Sequence, residues 1–177
     1  MKKLKSKSLS IFFHKSIRHL LPYPPSIGIF ELNHVADYEK CPDTWKRDGF
    51  FIGINEEEAL FFHFDTLNEM AIIINKDDKN ALTNEKSNLV LKEGNHLISP
   101  PKKILDFWFE FDKAGHQFIP PAKIEIITFE TKIRPLDIFE IYLIDKNQFK
   151  EITDQDLPPI AKATQEYITT LMNGTNS

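Results

Sequence analysis

From Ser26 onward the chain is written in short apolar runs separated by polar breaks, the pattern of β-strands joined by turns, and this restricts it to a strand-rich fold. The runs predict strands at 27–32, 49–54, 59–65, 70–75, 88–92, 104–112, 123–131 and 138–144. The breaks carry turn chemistry: Asn55 to Glu58 is short enough for a hairpin, and Lys76 to Asn80 and Glu93-Gly94-Asn95 are polar loops. Antiparallel neighbours are therefore expected. In the run from Ile104, Leu105, Phe107, Phe109 and Phe111 alternate with Asp106, Trp108, Glu110 and Asp112, so one face belongs to a core and the other is acidic. The charged stretch 33–48, with Pro42 and Asp43, reads as an irregular loop or short helix.

The two ends read differently. Leu9, Phe12, Phe13, Ile17, Leu20 and Leu21 recur at three- and four-residue steps with His14, Lys15 and Arg18 opposite, which predicts an amphipathic helix ended by Pro22, Pro24 and Pro25. Ile11 alone falls on the polar side of that helix. At the other end, Ile160, Ala163, Tyr167, Ile168 and Leu171 share a helical stripe and Gly174 follows as a stop. The expected fold class is α+β: a mainly antiparallel, strand-rich single domain, sheet or sandwich, with an N-terminal amphipathic helix and a C-terminal helix. The expected divisions are a basic helix and Pro-rich linker at 1–25, a strand-rich core at 26–152, and a helix and tail at 153–177. Pro100 to Glu110 resembles Pro120 to Glu130 at an offset of twenty, which reads as two similarly built strands, not a duplicated domain.

Charge divides the molecule. Residues 1–30 hold Lys2, Lys3, Lys5, Lys7, Lys15 and Arg18 and none of the 26 acids, the first carboxylate being Glu31. At 177 residues with 41% hydrophobic content, one core is the simplest reading, and the 15 Phe concentrate that content in rings suited to a pleated face. The single cysteine, Cys41, cannot cross-link the chain to itself, which points to a reducing compartment; its neighbours Glu39, Lys40, Pro42 and Asp43 offer no activating field, so it reads as a buried thiol. No run approaches the ~18 apolar residues of a membrane span. His14, Lys15, Arg18 and His19 interrupt any secretory signal, leaving a soluble, cytoplasmic protein as the expectation.

Among residues that carry chemistry, Glu130-Thr131-Lys132 ends an apolar strand, with Glu130 and Lys132 on one face, and Asp112 ends the preceding strand. A carboxylate from one strand with Glu-x-Lys on the next resembles metal-dependent nucleases of the PD-(D/E)xK type. The resemblance is confined to these residues and implies a divalent metal held by Asp112 and Glu130, with Lys132 positioning the attacking water. Under any other reading no cofactor is expected. The six histidines, His14, His19, His34, His63, His96 and His116, form no close metal-binding pair, although His63 and Asp65 share a strand face. No Gly-rich phosphate loop and no Gly-x-Ser-x-Gly elbow occurs.

The leading expectation is a non-catalytic binding or adaptor domain whose basic helix, through Lys2, Lys3, Lys5, Lys7, Lys15 and Arg18, meets a partner protein or an anionic membrane surface. Nucleic acid is disfavoured, because the acidic body repels phosphates. The competing reading is a metal-dependent phosphodiesterase or nuclease using Asp112, Glu130 and Lys132. The adaptor reading expects deletion of residues 1–21 to spare the fold.

Overall fold

The computed structural model describes residues 1–7, 9–18, 26–66, 68–99, 118–130 and 134–174, with the side chains of residues 163, 171 and 172 left aside. Two sheets face one another. The first is built around β2 (Leu9–Ile17), which pairs antiparallel along its whole length with β6 (Glu58–Thr66), from Leu9 opposite Thr66 to Ile17 opposite Glu58. The other edge of β2 is shared by β1 (Leu4–Lys5) and β3 (Gly28–Ile29). The second sheet runs in the order β4 (Asn33–His34), β5 (Phe50–Gly53), β11 (Asp137–Ile144), β10 (Ala122–Phe129), β7 (Met70–Lys76) and β8 (Lys79–Asn80), with β9 (Leu97–Ser99) also on β7.

The expected fold class is corrected at its first element. Residues 9–17 form a strand, not an amphipathic helix, so the architecture is mainly sheet and the α+β arrangement opened by a helix does not hold. The residues satisfy both periods: Leu9, Phe12, Phe13 and Ile17 fit helical steps, while Leu9, Ile11 and Phe13 fit alternation, and Ile11 is misplaced only in the helix. Pairing decides between them. Strand geometry buries Leu9, Ile11, Phe13 and Ile17 on one side and lets the β-branched and aromatic side chains pack against Leu60, Phe62 and Phe64 of β6. The leading segment thus lies inside the core and is no separable appendage.

Two further expectations change. Asn55 to Glu58 is not a hairpin turn: β5 belongs to the second sheet and β6 to the first, so the turn carries the chain from one sheet to the other. Glu58 fixes it by accepting hydrogen bonds from the Asn55 backbone N–H and side-chain amide, at 3.3 and 2.8 Å. Pairing is also mixed, because β5 lies parallel to β11. Residues 88–92 form no strand, with a bend at Leu89 and Val90 and Leu91 packed against the sheet, and the expected strand at 104–112 lies outside the described residues.

The inner faces of both sheets supply one core, which joins Ile11, Phe13 and Phe62 of the first sheet to Ile72, Ile124, Ile126 and Ile141 of the second. The outer face of the second sheet carries two smaller clusters. One gathers Phe51, Tyr142 and Ile144 beneath α1 (Lys146–Thr153), and the other gathers Ile73, Ile127 and Phe129. Helix α1 is capped by Asp145, whose Oδ1 accepts from the Gln148 N–H at 2.8 Å, and it stops at Asp154 in the left-handed conformation (φ 59°). Phe149 and Ile152, three residues apart, are its buried side. α2 (Lys162–Gly174) follows, with Tyr167 exposed.

Candidate functional site

The sequence-predicted residues separate into two groups. Of the hydrolase constellation, Asp112 and Lys132 lie outside the described residues. Glu130 sits one residue past the end of β10, in a bend, exposed, with its carboxylate 3.9 Å from the Lys7 ammonium. Among the described residues no group of three or more His, Cys, Asp or Glu side chains is placed to hold a metal ion.

The basic residues are placed by the strands. Lys15 and Arg18 are drawn to the turn before β6: the Lys15 ammonium lies 3.7 Å from buried Glu58 and over the Phe30 ring, and Arg18 Nε donates to the Glu58 carbonyl at 3.3 Å. Lys2, Lys5 and Lys7 are exposed around the edge strand β1. Lys3 places its ammonium 5.5 Å from the Phe12 ring centroid, a cation–π contact. Because Leu4 and Ile11 point inward, Lys3, Lys5, Ser10 and Phe12 share the outer face of the first sheet.

Rings dominate that face farther along. Phe12 stacks on His63 at 5.6 Å and His14 on Phe61 at 5.1 Å, each across the β2–β6 ladder. His14 Nδ1 lies 2.8 Å from Ser26 Oγ. Burial, then the nearby charge of His63, lowers the His14 pKa to about 4, and burial lowers that of His63 against the opposing pull of Asp65. Both imidazoles are therefore neutral near pH 7. The shared face of His63 and Asp65 was visible in the sequence; the approach of His14 was not, because a helix would have turned it elsewhere.

A second constellation, missed in the sequence, lies on the outer face of the second sheet. Asn75 of β7, Glu125 of β10 and Glu140 of β11 stand in one row across the strands, between the two outer apolar clusters. Asn75 Nδ2 donates to Glu125 Oε1 at 2.9 Å. Glu140 accepts a short hydrogen bond from the Tyr142 hydroxyl and pairs with the Lys46 ammonium at 3.1 Å. The Lys46 backbone N–H donates to the same hydroxyl at 3.0 Å, and Trp45 lies flat on the Tyr142 ring, centroids 4.3 Å apart and planes 5° from parallel. Burial, reinforced by the bond to Glu140, pushes the Tyr142 pKa up to about 12. Beside this group opens a cleft of about 560 Å³ lined by Trp45, Tyr142, Glu140, Lys123, Asp77 and Gln148 among others. Cys41 is buried nearby in the α1 cluster, and burial pushes its thiol pKa up, the opposite of an activated nucleophile.

The signal for this second group was a polar residue in the middle of each of two apolar strands, Glu125 in Ile124–Ile127 and Glu140 in Ile138–Ile144. Lys46 and Trp45 come from the 33–48 loop, whose docking no periodicity reveals. The chain matches no protein-family model, no curated protein and no solved structure.

Proposed function

We propose that the protein is a non-catalytic binding domain of the cytoplasm that holds an anionic partner protein on the lysine-bearing edge of its four-stranded sheet. The observation that carries this reading is the placement of Lys2, Lys5 and Lys7, exposed together around β1, beside Lys3 on its aromatic support. The leading segment lies in the sheet, so the cations are displayed from a fixed strand edge, which lowers the ordering cost of binding. Lys7 and Glu130 are held only at 3.9 Å with both side chains largely exposed, and such a pair is weak enough for a partner carboxylate to displace. An edge strand also offers free backbone groups to an extended partner segment, and lysines there exclude a second copy of the chain while admitting an acidic strand.

The test is titration of a labelled Glu-rich peptide with the whole chain and with a Lys2→Glu/Lys5→Glu/Lys7→Glu variant. Binding at low salt that weakens at least about tenfold in the variant, with an unchanged melting temperature, is the expected result. Equal binding by both proteins, or capture of anionic vesicles but not of the peptide, overturns the assignment.

A further inference from the structure

We infer that the cleft on the outer face of the second sheet binds a small organic cation, an ammonium or guanidinium group, with Glu140 as its counter-ion and the stacked Trp45 and Tyr142 as its wall. This goes beyond the anionic-partner reading and uses the opposite sign of charge on a different sheet. Its basis is a shortage of positive charge in the polar row that reaches the cleft through Glu140. Glu125 and Glu140 are direct cross-strand neighbours, an arrangement in which like charges destabilise the ladder. Among the described residues Lys46 is the one cation paired directly with this row, at 3.1 Å from Glu140; Lys123 spends its hydrogen bond on Asp78 at 2.8 Å and acts on Glu125 and Glu140 only through space. The row is also short of donors: Asn75 is 2% exposed, its Nδ2 is engaged by Glu125, and its Oδ1 has no hydrogen-bond partner among the described residues.

The two members of the existing ion pair are unequally held. Glu140 is 9% exposed and fixed on a central strand, whereas the Lys46 side chain is 57% exposed and enters from a loop. The cation position is therefore built into the sheet, and Lys46 is an internal occupant that can swing into water when another cation arrives. The incoming group meets what a buried cation needs: a desolvated carboxylate held by the Tyr142 hydroxyl, with aromatic rings fixed beside it by stacking. An anion would face the carboxylates of Glu140 and Asp77, and a neutral ligand would leave the charge shortage as it is. A free diamine and a Lys or Arg side chain of another protein present the same chemistry.

The experiment is nuclear magnetic resonance titration of the whole chain, following the indole N–H signals, with agmatine and cadaverine as free cations and capped Gly-Lys-Gly and Gly-Arg-Gly as side-chain cations. Glucose and acetate serve as uncharged and anionic controls. Saturable shifts with the cations alone are expected, and the better-bound pair identifies the source. Lys46→Met, which removes the internal competitor, tightens binding about tenfold, and Glu140→Gln weakens it by at least as much. Should Lys46→Met fail to fold, Lys46→Gln makes the same comparison. Absence of saturable shifts in wild type and in the Lys46 variant alike, no tightening in that variant, or equal binding by Glu140→Gln overturns the inference; none of these results bears on the lysine edge of the other sheet.

Discussion

The imidazole of His14 lies 5.7 Å from that of His63, diagonally across the β2–β6 ladder, and each ring is stacked on a phenylalanine of the opposite strand. Two imidazoles so close and so poorly hydrated resist taking up protons, since burial and mutual repulsion both disfavour the charged forms.

This makes the first sheet sensitive to acid. The folded-state pKa of His14, about 4, is below its ordinary 6.5, so the unfolded chain takes up the proton first as pH falls. The stabilising contribution is complete above pH 6.5 and is lost as pH drops toward 4. Urea midpoints at pH 7 and pH 5 should differ more for the wild type than for His14→Phe, which keeps a flat ring against Phe61 and cannot be protonated. An identical pH dependence in the two proteins would count against this account.

At Gly53 the second sheet is packed tightly against Phe149 of α1 and Leu157 beyond it. A Cβ there would stand 2.5 Å from Leu157 Cδ2 and 2.6 Å from Phe149 Cδ2, and Phe149 is buried in the cluster that seats the helix. Gly53→Ala therefore forces a shift of packed side chains, and a loss of about 1–3 kcal/mol is expected in chemical denaturation. A variant as stable as wild type would show that α1 is free to move.

Folding is expected to require β2. Removal of residues 1–17 deletes the partner of all of β6 and takes Leu9, Ile11 and Phe13 out of the shared core, so the shortened chain should show no cooperative melt by circular dichroism. This reverses the expectation that deleting residues 1–21 spares the fold. Removal of residues 1–3, which precede β1, should leave the transition intact; cooperative melting of the longer deletion would contradict the placement of β2.

The features legible along the chain were those set by local chemistry. Short apolar runs between polar breaks, rich in β-branched and aromatic residues, located β5, β6, β7, β10 and β11, because a strand whose faces are covered must carry apolar side chains wherever its partner lies. The capped helix α1 carried its own sign in Asp145, yet its eight residues were too few to separate from the strand before it by periodicity alone. Asymmetry of charge was plain from residues 1–30.

Packing between distant segments settled the questions for which local chemistry gives two answers or none. Leu9 to Ile17 satisfies both helical and strand periods, and nine residues of pairing with β6 select the strand. The parallel contact of β5 with β11, the meeting of His14 with His63, and the docking of Lys46 and Trp45 over Glu140 and Tyr142 each join residues far apart in the chain. Such contacts leave no periodic trace, because their free energy arises only when separate segments bury one another's surfaces.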